Sequence, residues 1–83
     1  MAKKKQPKSE VVGFLGVGLD AADEHRRVTQ SDHFLIVGGS ADTHGQMQET
    51  AIRFEEALEQ RGKPLRELPV PEVADMLRKA RRE

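Results

Sequence analysis

The 83-residue chain has no cysteine, no tryptophan and no tyrosine. Without cysteine there is neither a disulfide framework nor a thiolate metal site, which fits a reducing compartment and sets the cytoplasm as the expected location. Phenylalanine alone supplies the aromatic content, 4% of the chain. Phe14, Phe34 and Phe54 all fall at core-patterned positions, so no aromatic platform is left for stacking single-stranded nucleic acid. Net charge is also missing: 14 Lys and Arg stand against 14 Asp and Glu. The overall field therefore gives no drive toward nucleic acid or a membrane. No run approaches the roughly twenty apolar residues that span a bilayer. The uncharged run 11–19 follows lysines, as a secretory signal would. However, Glu10 abuts it, glycines interrupt it, and Asp20 stands where cleavage would want a small neutral residue, so secretion is not expected.

Residues 1–10 carry Lys3, Lys4, Lys5 and Lys8 and no large apolar residue beyond Met1. They are expected to form a disordered basic tail. Residues 11–83 are expected to fold as one small α+β domain, since 36% of the chain is hydrophobic. At this size apolar burial and chain entropy nearly cancel, so the fold needs good capping, a ligand or a partner chain.

Residues 11–19, VVGFLGVGL, read as a strand. One face is apolar at Val11, Leu15, Val17 and Leu19. The other is half bare at Gly16 and Gly18, which implies that a backbone, a helix or a ligand comes close there. Residues 25–29 suit a short strand facing solvent, and Gln30 to Asp32 a turn. Residues 33–37, HFLIV, are apolar on both faces and so predict burial on both. A helix is expected over 43–61. Thr43 and Gln46 have capping-box spacing. Met47, Ala51, Phe54 and Leu58 form one stripe, and Gly62 and Pro64 stop it. A second helix is expected over 71–81, opening at Pro71, with Val73, Met76, Leu77 and Ala80 on its apolar face. The order implies a small antiparallel sheet of two or three strands (about 11–19, 25–29 and 33–37) with both helices on one face. The alternative is βαβα, with residues 20–30 helical.

No catalytic constellation and no metal-ligand spacing is present, and no cofactor is expected. His25, His33 and His44 fall in separate elements and share no helical spacing. Gly16-Val17-Gly18-Leu19-Asp20-Ala21 has the spacing of a dinucleotide-binding turn, but that chemistry requires a helix directly after it. Gly38, Gly39, Ser40, Thr43 and His44 form a turn from strand to helix whose free N–H groups suit an anion. Lys3, Lys4, Lys5 and Lys8 could add phosphate contacts on nucleic acid. The strongest expectation is structural. Phe34, Leu35, Ile36 and Val37 present two apolar faces, two helices cover one, and Ile52 flanks the helical stripe. The chain is therefore expected to be a non-enzymatic interaction or regulatory module that binds itself, as a homodimer, or another protein through these residues. The alternative is a phosphate-bearing ligand, nucleotide or nucleic acid, held by the Gly38–His44 turn and the lysine arm.

Overall fold

In the computed structural model of the chain, the described residues are 10–23 and 25–81. Lys3, Lys4, Lys5 and Lys8, and the tail as a whole except Glu10, lie outside them.

Three strands precede two helices: β1 at Phe14–Gly18, β2 at Val28–Gln30 and β3 at Phe34–Gly38, then α1 at Ala41–Arg61 and α2 at Val70–Arg81. A short 3-10 turn, Leu65–Glu67, joins the helices. The strand order is β1-β3-β2. Apolar on both faces, β3 takes the central place, while the short polar β2 lies at one edge and β1 at the other. This is an α+β fold.

The sheet is mixed, which corrects the expected antiparallel sheet. β2 and β3 form the expected antiparallel hairpin, but β1 runs parallel to β3 with Phe14 opposite Phe34 and Gly18 opposite Gly38. The reason lies in residues 19–27, which do not turn β2 back alongside β1. They pass the end of β3 to its far side and are pinned there. The Arg27 guanidinium pairs with Asp23 at 3.0 Å and donates to the Gly39 carbonyl at 3.1 Å. Among the described residues this segment holds no helix, so the βαβα alternative does not stand, nor does the dinucleotide turn that needed it.

Burial follows from the two periodicities. α1 turns Ala51, Phe54 and Leu58 inward, with His44 at its first turn. Its N-cap is Ser40, whose side chain accepts from the Thr43 N–H, so the helix begins ahead of the expected Thr43 box. Gly62 ends it in the left-handed conformation at φ 69°. α2 buries Val73, Met76 and Ala80, and Leu65 and Leu68 close the core between the helices. An Arg61–Glu72 ion pair at 2.7 Å ties the helices together. The three phenylalanines meet in one cluster. Phe14 and Phe34 stack at 5.0 Å between ring centroids, and Phe54 packs steeply inclined to both at 5.0 and 5.6 Å. Among the described residues no helix is long and apolar enough to cross a membrane.

Candidate functional site

Two regions matter: the turn that starts α1, and the side of the sheet away from the helices.

At the turn, parallel pairing brings the ends of β1 and β3 side by side. A Cβ on Gly18 would lie 2.5 Å from the Gly39 Cα, so the backbones meet where no side chain fits. Gly38 and Gly39 both adopt positive φ, 80° and 87°, which favours glycine. Here the half-bare face of β1 is accounted for within the chain. Gly18 admits Gly39, and Gly16 admits the Met47 thioether, whose sulfur would stand 3.0 Å from a Cβ.

The start of α1 already holds an anion, and it belongs to the chain. The Asp20 carboxylate accepts from the Ser40 N–H at 2.8 Å, from Ser40 Oγ at 3.1 Å and from Thr43 Oγ1 at 2.7 Å. The Thr43 hydroxyl and the Ser40 amide hold its pKa below the usual 3.8. Ser40 and Thr43 therefore act as donors to Asp20, where the sequence suggested donors to a ligand. His44 is buried and serves the fold. Its Nδ1 lies 2.9 Å from the Gly38 carbonyl, its Nε2 lies 2.8 Å from Thr29 Oγ1, and Gln48 donates to that same oxygen at 2.8 Å. A carbonyl only accepts, so Nδ1 carries the hydrogen. With a neutral ring, the Thr29 hydroxyl donates to Nε2 and accepts from Gln48. Gln48 is not singled out by the sequence, and Asp20 enters it only as a cleavage-position mismatch and as a variable position of the Gly16–Ala21 turn. The spacing 44, 47, 51, 54 and 58 does place His44 on the core stripe. Asp20 gives no local signal, since its partners lie twenty or more residues away.

The histidines do not converge. His33 Nδ1 lies 3.3 Å from Glu55, and His25 sits exposed in the 19–27 segment, where only its backbone N–H donates to Asp23. Among the described residues no three metal-ligating side chains gather.

On the sheet, the helices cover the face of Phe14, Gly16, Phe34 and Ile36. Phe34 and Ile36 are thus core residues at 7% and 1% exposure, a correction to their expected place on an interaction surface. The even-numbered positions point inward because their glycines let α1 approach. The aliphatic odd-numbered positions are therefore left outward. Across the strands they form two rows, Leu15–Leu35–Gln30 and Val17–Val37–Val28. Leu15 is 65% exposed, Val28 63%, Val17 55% and Leu35 38%. Five of the six side chains are aliphatic and none is charged. Ile52 is exposed too, but on α1, on the other side of the sheet, so it shares no surface with Leu35 and Val37.

The β1 edge adjoins this face. Among the described residues no strand pairs with its outer side. Along that edge lies an apolar cleft of about 180 Å³, with Phe14, Gly16, Met47, Leu77 and Arg81 in its lining.

Comparison with protein-family models, with curated proteins and with solved structures finds no match to this chain.

Proposed function

We propose that this protein is a non-enzymatic interaction module that associates with copies of itself through the uncovered face of its sheet. The observation that carries this is the pair of rows Leu15–Leu35–Gln30 and Val17–Val37–Val28, which no described part of the chain covers. A contiguous patch of outward aliphatic side chains is the kind of surface that marks an interaction site. A second copy fits because the face bears no charge, so two such faces meet without like-charge repulsion. A core as small as this one also gains from association. We place the protein in the cytoplasm, where a chain without cysteine forgoes no disulfide.

A phosphate-bearing ligand at Gly38–His44 would have to displace Asp20 from Ser40 and Thr43, against the like charge of a carboxylate. That leaves homotypic association as the better-supported role.

The test is light scattering coupled to size exclusion at tens of micromolar. The expected particle exceeds the chain mass of 9.3 kDa and persists as salt is raised, because apolar burial is not screened. Val28→Lys, on the far edge of the face, should reduce the mass. A folded wild-type chain that runs at 9.3 kDa across the concentration range would refute the proposal.

A further inference from the structure

The open face is small against what a stable interface requires. Fully burying a Val or Leu side chain removes about 100 Å² from water, so five half-exposed ones offer about 300 Å² per copy. Two stacked faces then bury about 600 Å², half the lower limit of about 1,200 Å² for a specific, stable interface. The missing contribution lies beside the face, at the edge of β1.

Among the described residues that edge has none of the usual protections. Strands left at a sheet edge carry lysine, proline or a bulge, or are kept very short. β2 follows that pattern: it is three residues long and preceded by Arg26 and Arg27. β1 does not, because from Val11 to Leu19 there is no charged residue and no proline. Its hydrogen-bonding phase is set by the Phe14 N–H, which donates to the His33 carbonyl at 2.8 Å. In a parallel ladder alternate residues face the same neighbour. Phe14, Gly16 and Gly18 therefore turn their backbone groups toward β3, while Leu15 and Val17 turn theirs outward.

We infer that β1 pairs antiparallel with β1 of a second copy, about a twofold axis at Gly16, making one six-stranded sheet. In this register Leu15 lies opposite the partner's Val17 and exchanges both backbone hydrogen bonds with it. The symmetric pair does the same, so all four outward groups of each strand are satisfied. The side chains fit as well. On the helix side Phe14 comes opposite the partner's Gly18, and Gly16 opposite the partner's Gly16, so no bulky side chain meets another beside the apolar cleft. The strand is uncharged along its whole length, which lets it meet its own copy without repulsion. Joining the sheets also doubles the open face to about 600 Å², so that stacking two joined sheets buries about 1,200 Å², within the range of stable interfaces.

This inference rests on the homotypic role proposed above and adds the edge to the face, so the two are tested separately. The first measurement is amide hydrogen exchange on the full chain under associating conditions. Leu15 and Val17 should be protected along with Gly16 and Gly18. Fast exchange at Leu15 and Val17 in an associated sample overturns the edge pairing and leaves the face proposal standing. The second is a pair of variants followed by light scattering. Val17→Pro removes an outward N–H but no bond to β3, a substitution that edge strands tolerate, and should at least halve the mass. Val28→Lys blocks stacking but not the edge, and should leave a particle of twice 9.3 kDa. A folded Val17→Pro chain that keeps the wild-type mass overturns the inference. If Val17→Pro does not fold, the exchange measurement on the unaltered chain decides.

Discussion

Thr43 Oγ1 donates a 2.7 Å hydrogen bond to the Asp20 carboxylate across twenty-three residues of chain. That contact joins the exit of β1 to the first turn of α1, and with the two Ser40 contacts it places a negative charge at the positive end of the helix. The turn that most resembled a ligand site is thereby a cap supplied from a distance.

Removing that cap should do two things. Asp20→Ala should lower the melting temperature by more than Asp20→Asn, because the amide oxygen can still accept from the Ser40 N–H. It should also open the helix start to solution anions. Added sulfate is expected to raise the melting temperature of Asp20→Ala more than that of the wild type, and to shift the amides of Ser40 to His44 only in the variant. Equal sulfate responses would show that Asp20 does not occupy an anion position.

The two loop carboxylates also set the acid limit. Hydrogen bonding and charge from Arg27 hold the Asp23 pKa at about 2, below its ordinary 3.8, and Asp20 is shifted in the same direction. A carboxylate with a depressed folded pKa stabilises the fold at all pH values above its unfolded pKa, and that contribution is lost as the pH falls through the folded one. The gap in melting temperature between wild type and Asp23→Asn should therefore be constant from pH 7 to about 5, then close between about pH 4 and pH 2. A gap that stays the same down to pH 2 would remove Asp23 from the account.

Much of this fold is legible in the sequence, and the failures have identifiable causes. The Met47-Ala51-Phe54-Leu58 stripe and the Gly62 stop define α1 by period and backbone conformation alone. The apolar run at Phe34–Val37 does form a strand, but its expected burial on both faces holds only for Phe34 and Ile36, because both helices lie on one side and leave Leu35 38% exposed. The assignment of faces on β1 does not follow from hydrophobicity. Val17 and Leu15 look like core residues, yet the face with Gly16 and Gly18 is the one that goes inward, since close approach of Met47 and Gly39 requires the absence of Cβ atoms. The parallel pairing of β1 is equally hidden, because it depends on where residues 19–27 cross β3. The contacts that fix that crossing, Asp20 to Ser40 and Arg27 to Gly39, are long-range.

The glycines give a prediction with opposite signs. Alanine at Gly18 would put its Cβ 2.5 Å from the Gly39 Cα, a backbone atom that cannot swing away. The cost should be at least about 1–3 kcal/mol, as for other overpacked sites. Gly45 lies inside α1, and a Cβ there would meet nothing within 4 Å. At that position alanine should stabilise by about 0.5–1 kcal/mol through helix propensity. At about 4–8 °C per kcal/mol for a domain of this size, thermal melts resolve both effects. A neutral Gly18→Ala would contradict the close meeting of β1 and the Gly38-Gly39 turn.

Phe54 is the most demanding position in the core. It is fully buried and packs its ring in T-shaped contact with Phe14 on β1 and Phe34 on β3, so one side chain from α1 holds both parallel strands. Phe54→Ala should cost about 3–5 kcal/mol, comparable to the whole of the roughly 3–5 kcal/mol that a core of this size supplies. Phe54→Leu keeps most of the volume and should cost about 1–1.5 kcal/mol. Urea titration would show the alanine chain largely unfolded near room temperature and the leucine chain folded with a lower midpoint. The comparison also bears on association. If self-assembly supplies part of the stability, the alanine variant should recover folded signal as its concentration rises, because mass action favours the assembled state. A midpoint independent of concentration would mean that the single chain holds itself together unaided, with its open sheet face contributing nothing.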